Sequence, residues 1–178
     1  LQTGIESSEL SWIKNMCFSV LQSSLAIMMY WLYKLGIKSN VMYRMNTSIL
    51  IGIGGDSGSG KTTLAKWLTS FLGKENVTLS NGDDYHRWER KDPAWKNVTH
   101  LNPKANSLLL SAEHMGLLRL GTPIYNKQYD HDTGVFNHPS KITPTNFVLH
   151  VGLHPFYVRK MREFFDIKIF IDTEESLR

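Results

Sequence analysis

Lys61 and Thr62 stand at a spacing that suits phosphate chemistry. They close the run Gly55-Asp56-Ser57-Gly58-Ser59-Gly60-Lys61-Thr62, with Thr63 next. Glycines in such a loop let the backbone turn tightly, so several N–H groups point at one anion. A helix starting there adds its positive dipole end. Lys61 supplies a point charge for β- and γ-phosphates, and Thr62 a hydroxyl ligand for Mg²⁺. A second cluster, Asp83-Asp84-Tyr85-His86 with Arg90, gathers two carboxylates, an imidazole and a guanidinium. That set can activate a hydroxyl and hold an anionic substrate. In a third, Tyr129-Asp130-His131-Asp132-Thr133-Gly134, a His lies between two aspartates. No other His or Cys stands at ligand spacing, so a substrate-lining hairpin or loop is the better reading than a metal site. Each cluster also has a plain structural reading: a Gly-rich turn, a solvated acidic loop, a surface turn.

The elements around them support the chemical readings. The Ile-rich run from Ile49 to Ile53 predicts a buried strand leading into the glycine loop. After it, Leu64, Trp67, Leu68, Phe71 and Leu72 recur at helical spacing, and Gly73 ends the helix. Val77–Ser80 reads as a second strand whose end carries the Asp83 cluster, the position where open α/β sheets place ligands. Pro93 and Pro103 mark a loop. Asn106 or Ser107 caps a helix that runs to about Leu120 and stops at Gly121. Asn146–Val151 is another buried strand. Pro155 suits the first turn of a helix through Phe164, and Ile167–Ile171 is the last strand. Strands alternating with helices predict a parallel α/β sheet with helices on both faces.

A chain of 178 residues suits one main domain with a sizeable core. The net charge of +4 fits anionic small molecules, and no Lys/Arg block argues for a nucleic-acid partner. The lone Cys17 excludes an internal disulfide and points to a reducing, cytoplasmic setting. Residues 1–44 differ in character and read as an N-terminal extension to a domain over 45–178. Residues 15–33 carry no charged side chain and end in Tyr30-Trp31-Leu32-Tyr33. They are read either as a weak membrane anchor, with Lys34, Lys38 and Arg44 on the cytoplasmic side, or as a packing helix. Met45 would also make a natural start for the domain.

Together these blocks resemble the phosphoribulokinase/uridine kinase family of P-loop kinases. The resemblance covers about residues 47–178. It adds Val98-Thr99-His100-Leu101-Asn102-Pro103-Lys104-Ala105-Asn106 and Gly152-Leu153-His154-Pro155 to the clusters above. It implies a P-loop NTPase fold, ATP and Mg²⁺ as cofactors, and transfer of the γ-phosphate to a hydroxyl of a sugar phosphate (ribulose 5-phosphate-like) or a nucleoside (uridine). Asp83 matches the family's catalytic base, and Lys61 acts with it. Residues Gly55 to Thr63 match the nucleotide-binding loop, with Thr62 on the metal. His86 and Arg90 match residues that hold a sugar phosphate. Tyr129 and His131 match the acceptor-binding segment, where nucleoside kinases also use Tyr and His, so the acceptor stays open between the two classes. A homo-oligomer is compatible with this reading.

Two departures stand out. The family's strand before Gly-Leu-His-Pro ends in Glu, where this chain has Val151. The chain also stops at Leu177-Arg178, ahead of the family's lid arginines, and so reads as truncated at its C-terminus. Both raise the alternative of a nucleotide-binding pseudokinase or regulatory module with little catalysis.

Overall fold

β-Branched residues with no polar neighbour to solvate them favour an extended, doubly covered strand. In a computed structural model, which describes residues 47–174, the Ile-rich run is strand β1 (Ile49–Gly55). The other strands are β2 (Val77–Asn81), β3 (Ile124–Asn126), β4 (Ser140–Ile142), β5 (Phe147–Gly152) and β6 (Ile167–Ile171). Four of them form one parallel sheet in the order β2-β5-β1-β6. The helices are α1 (Lys61–Leu72), α2 (Leu108–Arg119) and α3 (Arg159–Phe164).

Alternation along the strands sorts the core into two layers. Leu50 and Val148 point to one face and pack with Ala112, Met115 and Leu118 of α2, Met161 of α3, and Phe165. Burying each of the large side chains contributes about 1.5–3 kcal/mol. Ile51, Ile53 and Leu149 point the other way and are also buried. There α1 packs across β1 and β5, with Ala65 and Leu68 buried. Helices therefore cover both faces, as expected from the sequence.

An ion pair fixes the far edge of this arrangement. Arg119, at the end of α2, makes two parallel bonds to Asp166, of 3.0 and 2.9 Å. Asp166 also accepts from the Leu50 amide at 3.0 Å, which ties the end of α2 to the start of β1.

Register places the site. Gly54 pairs with Gly152, and Asn81 with Val151, so β1, β5 and β2 end at one level. The three segments that leave them emerge side by side at the carboxyl edge of the sheet. Gly82 and Gly152 lie so close that a Cβ on Gly82 would approach the Gly152 Cα to 3.1 Å.

Two expectations need correction. Helix α3 begins at Arg159, not Pro155. Val158 is extended, and the Arg162 guanidinium takes the carbonyls of Phe156 and Tyr157 that a longer helix would have offered to its own amides. Ser107 precedes α2 as expected, but its hydroxyl makes no capping bond. The stretch from Pro123 to Gly134 contributes one arm of a hairpin: β3 pairs antiparallel with β4, and a Tyr129–Phe136 bridge narrows the long connection. The expectations for residues 1–44, the anchor at 15–33 among them, lie outside the described residues. Among the described residues no helix is long and apolar enough to cross a membrane.

Candidate active site

The glycine loop joins β1 to α1. Gly55 has φ +150°, and a Cβ there would lie 2.5 Å from the Ile171 carbonyl oxygen and 2.7 Å from Ser59 Oγ. Neither the backbone angle nor the space admits a side chain. Gly60 adopts the left-handed conformation ahead of α1, and no side chain caps that helix end. The first-turn amides of Lys61, Thr62 and Thr63 thus have no intrahelical acceptor, which suits an anion. Lys61 Nζ folds onto the Asp56 carbonyl. Burial lowers the Lys61 pKa, while Asp83 and Asp56 oppose the shift.

The second cluster forms a 3₁₀ turn, Gly82–Tyr85, directly after β2. Its two carboxylates do different work. Asp83 is one-third exposed and lies between two imidazoles, with Oδ2 3.0 Å from His131 Nε2 and Oδ1 3.5 Å from His86 Nε2. Asp84 is buried and accepts the Tyr129 amide at 2.8 Å. Burial raises the Asp84 pKa to about 6 against the pull of the Tyr129 and Asn81 amides. Asp84 therefore holds the acceptor segment in place, and Asp83 alone faces the cleft.

His86 is fixed by Asn106, expected only as a possible helix cap and as part of the block of residues 98–106. The Asn106 amide nitrogen donates to the carbonyls of His100 and Asn102, both at 2.9 Å. Its oxygen must then accept from His86 Nδ1–H, at 2.7 Å. That tautomer turns His86 Nε2 toward Asp83. His100 stacks on His86 with ring centroids 3.4 Å apart and bonds to the Trp88 carbonyl at 2.9 Å. Burial, with His86 beside it, lowers the His100 pKa to about 4. Arg90 reaches across to the third cluster: its Nη2 donates to the His131 carbonyl at 2.7 Å and its amide to the Gly134 carbonyl at 2.9 Å. Asp130 accepts from the Asp132 amide and the Thr133 hydroxyl, so it shapes this turn. Tyr129 is buried against His86, His100 and His131, and its hydroxyl meets no protein partner.

One cleft of about 520 Å³ brings these groups together. Lys61, Thr62, Asp83, His86, Arg90, Tyr129 and His131 all line it, with Ser57 and Gly58 of the loop. Gly55, Asp56, Ser59, Gly60 and Thr63 shape the loop without lining the cleft. Sequence reasoning missed Trp95, Leu101 and His100 as lining residues, and Asn106 behind them. Val98 to Asn106 stood out as a block, but its contact with His86 is long-range and leaves no local signature. Val151 also lines the cleft, so the departure at the end of β5 falls inside the site. The donor set fits a magnesium nucleotide. Hard oxygens come from Thr62 and Asp83, while a cage of three or more His, Cys, Asp or Glu is absent among the described residues.

Known proteins place this geometry. A family model described as the phosphoribulokinase/uridine kinase family matches residues 50–178. The phosphoribulokinase of Synechocystis sp. is 36% identical over 135 residues, covering 76% of this chain and 41% of that protein. The uridine kinase of Clostridium perfringens is 31% identical over 139 residues, covering 75% of this chain and 66% of that one. The chain thus spans about two fifths of the length of the Synechocystis enzyme. The solved structure of a possible uridine kinase from Bacillus stearothermophilus superposes with a TM-score of 0.61 at 21% identity, over 86% of this chain and 84% of that one, and so shares the fold. These relatives are named as kinases, and the alternative of a regulatory nucleotide-binding module draws no support from them. The chain belongs to the phosphoribulokinase/uridine kinase family.

Proposed function

We propose that this chain carries the nucleotide site and the acceptor site of an ATP-dependent kinase acting on a hydroxyl of a sugar phosphate of the ribulose 5-phosphate type. One observation carries the reading: Lys61 and Thr62 line the same cleft as Asp83, His86 and Arg90. Bound Mg-ATP would supply the γ-phosphoryl group there. The loop amides and Lys61 hold its phosphates, and the Thr62 hydroxyl takes a place on the metal. Asp83 orients the acceptor hydroxyl and receives its proton, and the His131 imidazole, 3.0 Å from Oδ2, holds the carboxylate for that task. Arg90 offers the positive, donating group that a second phosphate on the acceptor needs, with His86 beside it on the cleft wall. Tyr129 and His131, stacked edge-on at 5.3 Å, keep a nucleoside such as uridine as the second reading.

Val151 modifies the proposal. Asp83 is the sole carboxylate among the residues lining the cleft, so Mg²⁺ has one acidic partner there. We propose a working but weakened metal site. The test is incubation of the intact protein with Mg-ATP and a panel of ribulose 5-phosphate, uridine, cytidine, pantothenate and glycerate. Phosphorylation of ribulose 5-phosphate above the rest supports the proposal. Preference for uridine transfers it to the second reading. Nucleotide binding with no product from any acceptor overturns it.

A further inference from the structure

The start of α2 forms one side of a groove that the main cleft does not include. Its volume is about 320 Å³, at the small end of the range that takes an organic ligand. Arg87, Lys104 and Ser107 line it together with Leu109, Leu110 and Tyr157. None of these lines the cleft that holds Lys61 and Asp83.

Charge and apolar surface meet on this wall. Arg87 and Lys104 are both exposed, and among the described residues that line the groove there is no carboxylate. Neither cation forms an ion pair among the described residues. The Arg87 side chain makes one bond, from Nε to the Asn106 carbonyl at a long 3.4 Å, and keeps both Nη groups for another acceptor. The Ser107 hydroxyl makes no capping bond and adds a donor. Beside these groups Leu109 is 74% exposed and Tyr157 64%. A bare phosphate would leave that apolar side wet, and a hydrocarbon would leave both cations without a counter-charge. The groove is also a small pocket, unlike the broad surface that a stable protein complex buries.

We propose that this groove is a second ligand site, for a small phosphate monoester with an aromatic or apolar body. The Arg87 Nη groups take the phosphate, Lys104 adds a point charge, and the Ser107 hydroxyl donates to a phosphate oxygen. The body lies against Leu109, Leu110 and Tyr157 and removes them from water. Asn106 connects this site to the cleft. It lines the groove, its side chain fixes His86 at 2.7 Å, and its carbonyl is the one that Arg87 holds. The Arg87 amide bonds the Ala105 carbonyl at 2.9 Å, so the groove and the cleft back onto the same pair of segments. An occupant that draws on Arg87 therefore acts on the segment that carries His86. That coupling rests on the kinase reading, and the groove's occupancy does not, so the two are measured separately.

The probe is phenyl phosphate, titrated into the intact protein with Mg-ADP held saturating. The NMR amide signals of Lys104, Leu109 and Tyr157 should move together and saturate with a Kd of about 1 mM or tighter. Inorganic phosphate should bind about fivefold or more weakly than the probe, because it leaves the apolar side uncovered. Arg87→Ala with Lys104→Ala should weaken the probe about tenfold or more. Lys104→Ala alone, at an exposed side chain, should weaken it about threefold, and with the wild-type shifts decides the matter should the double variant fail to fold. Shifts confined to Lys61, Arg90 and His131 would put the probe in the cleft and overturn the site, as would equal affinity in the double variant. Inorganic phosphate binding as tightly as the probe overturns the ligand class, and tighter binding of a short acidic peptide overturns the small-molecule reading. In turnover assays the probe should change KM for the acceptor about twofold or more, and an unchanged KM overturns the coupling. Binding in a protein that transfers no phosphate supports the groove and counts against the kinase reading alone.

Discussion

Asp83 shows how much the neighbours of a carboxylate decide. Adjacent aspartates suggested a shared acid–base role, yet Asp84 is buried on the Tyr129 amide and only Asp83 faces the cleft. Residue type and spacing made the pair visible. They could not divide it, because the dividing contact spans 45 positions in sequence. His86 and Arg90 were legible for the same reason, and Asn106 and His100, which fix His86, were not. Two predictions belong at this scale. Val151→Glu adds a second acidic ligand beside Asp83, so the Mg²⁺ concentration for half-maximal rate should fall about tenfold or more, read from a metal titration of turnover. Unchanged metal dependence would mean that another group already fills that role. Arg90→Lys keeps the charge but loses the planar fork. It should raise KM for a phosphorylated acceptor about tenfold and leave KM for ATP unmoved.

At the scale of elements, the local signals were sufficient where an element is made by its own residues. The strand, loop and helix around Gly55 to Thr63 follow from an Ile run, left-handed glycines and a helical apolar stripe. Helix α3 escaped this kind of reading because its start is set by Arg162, five and six positions on, capturing the Tyr157 and Phe156 carbonyls that a helix from Pro155 would have used. The β3–β4 hairpin was legible only as a hairpin or loop, because its strands are three residues each and β4 is largely exposed. Gly55→Ala tests the loop: a Cβ facing the Ile171 carbonyl at 2.5 Å must displace the loop or β6. Nucleotide affinity should drop by at least about tenfold in a direct binding titration, with the far-ultraviolet spectrum retained. Arg119→Ala removes both bonds to Asp166 and should cost about 2 kcal/mol in urea denaturation. A loss near zero would show that solvent replaces the pair.

At the scale of the whole molecule, buried histidines set the response to acid. Burial lowers the pKa of His100 and of His150 to about 4 from the ordinary 6.5. Such groups contribute stability that is full above 6.5 and lost as pH falls toward 4, because the unfolded chain takes up the proton first. Asp84 runs the other way: raised to about 6 from 3.8, its contribution is present below 3.8 and lost as pH rises through 6. Two histidines outweigh one aspartate, so the unfolding free energy should fall on acidification across that window. His150→Phe should flatten the slope, measured by denaturation at a series of pH values. The parallel sheet and the covering of both faces were legible from alternating strands and helices, while the order β2-β5-β1-β6 was not. The level at which β1, β5 and β2 end was not, and it is this level that gathers Lys61, Asp83 and Arg90 into one cleft. The most direct test of that cleft is Asp83→Asn in the intact protein, assayed for phosphoryl transfer to the accepted sugar phosphate or nucleoside alongside ATP binding. Loss of kcat by about 10²–10⁴ with ATP affinity retained is the predicted result. Turnover at the wild-type rate in that variant would contradict Asp83 as the base and the cleft as the place of transfer.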